Sequence, residues 1–173
     1  VNVLAGHMLI GLLLPLLKNA SQARVINVSS GGMYAVGLRT QDRQYEQEPY
    51  DGVRAYAHTK RAQVVLTELY AEHPGTEGIL FFSMHPGWAD TAGVQRSLPT
   101  FRMLTRPILR TAQQGADTIL WLAVRRDLNK RHNGTFWFDR RIRPTHRFKS
   151  TTNSAAEREQ FLEYCNQLTG VNL

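Results

Sequence analysis

Arg24-Val25-Ile26-Asn27-Val28-Ser29 is a short β-branched run, and Ser30-Gly31-Gly32 breaks it. Such a run, closed by turn residues, predicts a buried strand. A loop-like stretch follows over 33–53, polar from Arg39 to Glu48 and punctuated by Pro49 and Gly52. Helical spacing then resumes from about Arg54 to His73, through Tyr56, Ala57, Lys60, Val64, Val65 and Leu69, until Pro74-Gly75 stops it. Next comes Gly78-Ile79-Leu80-Phe81-Phe82-Ser83-Met84, a second continuous apolar strand halted by His85-Pro86-Gly87. Strand, long helix, strand is a βαβ unit. It lays the two strands parallel in one sheet with helices on the faces, an α/β fold.

Upstream, residues 3–18 predict a helix that is apolar on nearly all sides and therefore needs cover from other elements. Asn2, His7 and Pro15 interrupt the apolar stretch, which reads better as a buried helix than as a membrane span. Downstream, 111–124 is helical in period, Gly134–Phe138 is a last strand candidate, and Ser154-Ala155-Ala156-Glu157 is a capping box that opens a helix over 155–168. No repeat or linker divides the 173 residues, so one domain is expected over 1–173.

Composition narrows the function classes. Hydrophobic residues at 42% and charged ones at 20% are ordinary for a globular chain. The single cysteine, Cys165, precludes an internal disulfide and offers no metal cluster, so no metal site is expected and a reducing compartment, the cytoplasm by default, is the simpler reading. The net charge of +7 gathers late, at Arg140, Arg141, Arg143, Arg147 and Lys149. No nucleic-acid module surrounds that run, which reads as a solvated basic surface or a nucleotide-phosphate site rather than a nucleic-acid interface.

Chemistry points to the helix. Tyr56 and Lys60 are four apart and so share one helix face. A phenol is a poor base at neutral pH, and an ammonium group one turn away favours its phenolate. Tyr-x-x-x-Lys alone is common, and a core tyrosine beside a solvated lysine explains it equally well. Position adds the rest: ligands of open parallel sheets bind outside the carboxyl ends of the strands. Ser30 ends the first strand, His85-Pro86-Gly87 ends the second, and Tyr56 and Lys60 open the helix between them.

These residues resemble the short-chain dehydrogenase/reductase superfamily. Val1-Asn2-Val3-Leu4-Ala5-Gly6-His7 is similar to the segment carrying its helix asparagine, and Val25–Ser30 to the strand ending in its active serine. Tyr56-Ala57-His58-Thr59-Lys60 is similar to its Tyr-x-x-x-Lys signature, and His85-Pro86-Gly87-Trp88-Ala89-Asp90-Thr91 to its Pro-Gly segment. The Ser-Ser-Gly-Gly-Met run, Gln114–Thr118 and Phe138–His146 resemble the retinol-dehydrogenase-like branch, and within it the orphan dehydrogenase/reductase member twelve group.

The resemblance implies a Rossmann-like doubly wound parallel sheet and hydride transfer between NAD or NADP and a carbonyl/alcohol small molecule. Tyr56 is then the general acid or base, and Lys60 holds the nicotinamide ribose hydroxyls and favours the tyrosinate. Ser30 polarises the carbonyl, with Ser29 structural. Asn2 anchors a water, or merely caps the helix; Pro86, Gly87 and Thr91 contact the nicotinamide half, or Thr91 caps the next helix. His58 and His85 read as packing or as lining of the substrate loop. Trp88, Phe101, Met103 and Leu104 suggest an apolar substrate, and a homo-oligomer is possible in this family.

The chain departs from the family in having no Gly-x-x-x-Gly-x-Gly turn. The family pattern places that turn and the first strands upstream of Val1, so the chain is expected to be the C-terminal part of one domain. Alone, it should expose apolar faces and strand edges, and hold dinucleotide poorly. Two alternatives stand beside the oxidoreductase: a shortened, non-catalytic form that binds a partner, and a sugar-nucleotide epimerase or dehydratase of the extended relatives.

Overall fold

The computed structural model describes residues 1–90, 103, 105, 107 and 109–173. Among these residues four strands form one sheet in the order β1 (Arg24–Val28), β2 (Leu80–Met84), β3 (Phe136–Phe138), β4 (Arg141–Arg143). β1 and β2 are parallel with Arg24 opposite Leu80 and Val28 opposite Met84; β2 and β3 are parallel, and β4 returns antiparallel. The expected βαβ unit is present, its crossover being α2 (Gly52–Glu72).

β2 is buried on both faces, which explains its unbroken apolar run. Phe81 faces Val65, Leu66 and Tyr70 of α2, and Ile10, Phe161 and Cys165 close that cluster. Phe82 and Met84 face the opposite way, toward Leu122 of α3 (Ala112–Val124) and Trp137. The molecule is therefore a helix–sheet–helix sandwich, with α1 (Leu4–Asn19) and α4 (Ala155–Thr169) beside α2. Where α1 crosses the chain end, a Cβ on Gly11 would overlap the side chain of Val171, so only glycine permits that approach.

His7 pins the three helices together. Its Nδ1 accepts the Tyr70 hydroxyl at 2.7 Å, and its Nε2–H donates to Asn166 Oδ1 at 3.0 Å. Cover for α1 is one-sided: His7 and Ile10 are buried, whereas Leu12 and Leu16 are 62% and 68% exposed and Met8, Leu9 and Leu13 are exposed beside them. The all-round burial expected of this helix is not met among the described residues. β1 forms one edge of the sheet, with Val28 exposed.

The caps follow local chemistry. Ser154 and Glu157 form the expected box on α4, Thr111 and Gln114 another on α3, and Asp51 caps α2 through Val53 N and Arg54 N. β4, which the sequence reading leaves inside the basic run, is set by a tight turn: Asp139 and Arg140 both take positive φ, 53° and 56°. Ion pairs hold that turn, Arg110 to Asp139 and Arg140 to Asp117. Arg61 is fully buried and ties three segments, donating to the carbonyls of Val36 at 3.0 Å and Thr145 at 2.6 Å.

Candidate active site

The parallel register brings the two strand ends together. Ser29 N donates to Met84 O at 2.7 Å, so Ser30 and His85 leave the sheet side by side. Ser29 is buried and its hydroxyl donates to Lys60 O at 2.8 Å, fastening the strand end to α2. That is a structural bond, as the sequence reading assigns. Ser30 opens a 3-10 turn over Gly31–Ala35 and accepts Gly32 N at 3.3 Å, which leaves its O–H free to donate elsewhere. Gly32 lies against Ala57, the neighbour of Tyr56.

On α2, Tyr56 is 46% exposed at the edge, one turn before Lys60. The Lys60 ammonium lies 5.5 Å from the centre of the Tyr56 ring. It donates to Val28 O at 2.8 Å and to Gln63 Oε1 at 3.0 Å. Burial pushes the Lys60 pKa down. Asn2 reaches the same helix face: its Nδ2 donates to Thr59 Oγ1 at 3.3 Å, and its carbonyl accepts Gln63 Nε2 at 2.7 Å. Asn2 is not the N-cap of α1. Val3 holds that position, with no side-chain cap.

After β2, Gly87 takes φ +80°, and a Cβ there would stand 2.7 Å from Arg110 Nε. The positive φ favours glycine, and a Cβ would in addition push the Arg110 side chain aside. The Arg110 guanidinium also lies over Phe138, 4.8 Å from the ring centre, and grips Asp139 through two bonds. Its backbone pairs with Trp88 and Asp90, so the strip after Pro86-Gly87 is held as a short parallel bridge. Trp88 is exposed, as is Met103. Thr91, Phe101 and Leu104 lie outside the described residues.

Sequence reasoning gave His85 only a packing or lining role. In the structure its Nδ1 accepts Gly31 N at 3.0 Å while the ring stacks on Phe138. Burial, and then the nearby Arg110 charge, lower its pKa to about 4, so the ring is neutral at physiological pH. His58 packs inward, its Nδ1–H donating to Gly37 O at 3.1 Å. Gln63 was missed altogether. Its one signal was spacing, three residues after Lys60 on the same helix face.

The structure thus sets Ser30 and Pro86-Gly87 just after the carboxyl ends of the parallel strands β1 and β2, with Tyr56 and Lys60 beside them on α2 and Asn2 against the same helix face. The model of the NAD dependent epimerase/dehydratase family matches residues 7–100, just over half of the chain. The chain belongs to that family.

Curated relatives set it among the short-chain dehydrogenase/reductases. It is 45% identical over 168 residues to human dehydrogenase/reductase SDR family member 12, covering 96% of this chain and 52% of the relative. Human retinol dehydrogenase 12 is 35% identical over 126 residues, covering 72% of this chain and 40% of the relative. The chain therefore spans about half the length of the curated relatives it matches. The crystal structure of an uncharacterised protein from Mycobacterium paratuberculosis superposes with a TM-score of 0.68 at 23% identity, covering 96% of this chain and 56% of that one. That likeness shows the fold: this short-chain dehydrogenase/reductase chain is Rossmann-like. No described helix is long and apolar enough to cross a membrane.

Proposed function

We propose that this chain carries the catalytic residues of a nicotinamide-dependent oxidoreductase that interconverts a carbonyl and an alcohol on an apolar substrate. The observation that carries the proposal is the single edge shared by Ser30, Tyr56 and Lys60. In reduction, Tyr56 gives its phenolic proton to the carbonyl oxygen, and the Ser30 O–H donates a hydrogen bond to the same oxygen. The ammonium of Lys60, one turn away, stabilises the tyrosinate that forms. In oxidation Tyr56 takes the alcohol proton back.

NAD or NADP, when bound, supplies or accepts the hydride. The donor set suits it: an ammonium has three N–H groups, and Lys60 spends two on Val28 O and Gln63 Oε1, leaving one for a ribose hydroxyl. Pro86 and Gly87, and Thr91 beyond them, are the proposed neighbours of the nicotinamide end. The names of the relatives, dehydrogenase/reductase and retinol dehydrogenase, support this reaction class. The exposed Trp88 and Met103 support an apolar substrate.

A second reading has its own support, because the matching family model is that of epimerases and dehydratases. Stoichiometry separates the two. The whole protein is mixed either with retinal and NADH or NADPH, or with a nucleoside-diphosphate sugar and oxidised NAD or NADP. Consumption of one reduced cofactor per retinal supports the oxidoreductase. Conversion of the sugar with no net cofactor consumed supports the epimerase or dehydratase and removes the proposal.

A further inference from the structure

We propose that Gln63 is the positioning residue of Lys60, its side-chain amide bridging the ammonium to the backbone carbonyl of Asn2. The inference deepens the reading of Tyr56 and Lys60 above and rests on it for its functional meaning, but its geometry is independent.

Gln63 is half-buried on α2, three residues past Lys60. Lys60 Nζ donates to its Oε1 at 3.0 Å, and its Nε2 donates to Asn2 O at 2.7 Å. The two bonds use opposite ends of one amide. An ammonium only donates and a carbonyl only accepts, so the bridge requires a group that does both. Glutamate has no donor for Asn2 O, and an apolar side chain supplies neither end. The pairing also fixes the orientation of the amide, because the flipped form would set N–H against ammonium and oxygen against carbonyl.

The bridge holds Lys60 from one side and β1 holds it from the other. Val28 O receives the second N–H at 2.8 Å, and that strand end is tied to β2 by Ser29 N to Met84 O. Asn2 is itself gripped at two points on α2, Thr59 and Gln63, and the Thr59 hydroxyl donates in turn to Tyr56 O. The start of α1, the end of β1 and the tyrosine–lysine turn of α2 are thus joined around one ammonium group.

An uncharged bridge suits the task. Facing Lys60 are Val28 O at the end of β1, Ser29 just after it, Asn2 from the segment before α1, and Tyr56 and Gln63 from its own helix. Burial is the one resolved cause of its lowered pKa, and no carboxylate is part of this group among the described residues. A carboxylate at position 63 would pair with the ammonium and spend the charge that a tyrosinate needs. The amide supports the cation and leaves its charge whole.

The test is the titration of Lys60, followed by NMR of the 13C-labelled lysine Cε in the protein, with the signal assigned by Lys60→Arg. Gln63→Met keeps the length of the side chain and removes the acceptor, so the Lys60 midpoint should fall by about one pH unit. Gln63→Glu should raise it by a similar amount. Unfolding carries a depressed lysine back up toward its ordinary value, so a fall in the Met variant cannot come from lost structure. A midpoint that is unchanged or raised in Gln63→Met, or that Gln63→Glu leaves unmoved while the near-UV spectrum stays native, overturns the bridge. The titration needs neither cofactor nor substrate. A negative result leaves the proposed reaction untouched, and failure of the turnover assay leaves a positive titration standing.

Discussion

His85 Nδ1 accepts the backbone N–H of Gly31 at 3.0 Å, joining the loops that follow the two parallel strands. One loop presents Ser30 and the other Pro86-Gly87, so this bond sets the spacing between the proposed carbonyl-binding and nicotinamide-binding segments. Asparagine can offer an oxygen close to the same place, whereas alanine cannot. His85→Ala should destabilise the fold by about 1–3 kcal/mol, because a half-buried N–H loses its acceptor. His85→Asn should recover part of that loss. Urea unfolding of the three proteins checks the order, and equal midpoints for the Ala and Asn variants would remove the hydrogen bond as the cause.

Acid should weaken the fold through its histidines. His7, His58, His85 and His146 all have pKa values lowered from 6.5, each by burial first. The unfolded chain then binds more protons than the folded one below that value. Their contribution is fully present above about pH 6.5 and is lost as pH falls toward the folded values, which for His85 means about 4. Thermal midpoints measured from pH 7 to pH 4 should decline throughout. A midpoint flat from pH 6.5 to 5 would contradict this, and His85→Asn should flatten the profile in part.

Gly87→Ala should act on the site as well as on stability. Positive φ and the Arg110 guanidinium both oppose a Cβ there. The backbone strain alone amounts to about 1–3 kcal/mol. Relief requires Arg110 to shift from Asp139, and with it the strip after Pro86. Calorimetry should show a lower melting temperature, and the Michaelis constant for cofactor should rise more than the turnover number falls. A melting temperature equal to that of the parent protein would show that the strip yields freely.

Arg61 sits next to Lys60, yet the two should respond very differently to truncation. Arg61→Ala leaves the carbonyls of Val36 and Thr145 without their donor and opens a cavity, a loss of about 3–5 kcal/mol. Lys60→Ala gives up bonds at the half-buried edge and should be milder. Denaturant unfolding of both ranks them; the reverse order would displace Arg61 as the buried tie.

That contrast shows what the sequence could reveal. Lys60 and Arg61 are both basic residues on one helix, and only the four-residue spacing to Tyr56 singled out the first. The βαβ order was legible because β2 is buried on both faces and reads as one apolar run. β4 was not, because its turn is Asp139-Arg140, without the glycine that usually marks positive φ, and depends on Arg110 and Asp117 from distant segments. Gln63 escaped for a related reason, as did the Gly31 partner of His85, to which sequence reasoning assigned only a packing or lining role. A histidine before Pro-Gly or a glutamine on a helix says nothing of its partner until the β1–β2 register and the entry of α1 are known. The helix start expected at about Arg54 lies at Gly52, because Asp51 caps α2 through Val53 N and Arg54 N, within the stretch from Pro49 to Gly52 that reads as loop.

The most direct test of the central claim is turnover by Tyr56→Phe in the whole protein, measured beside cofactor affinity. The ring keeps its place and loses only the hydroxyl. The rate should fall by about 10²–10⁴-fold, with cofactor binding largely intact. Turnover at the parent rate would take Tyr56, and with it the proposed proton transfer, out of the site.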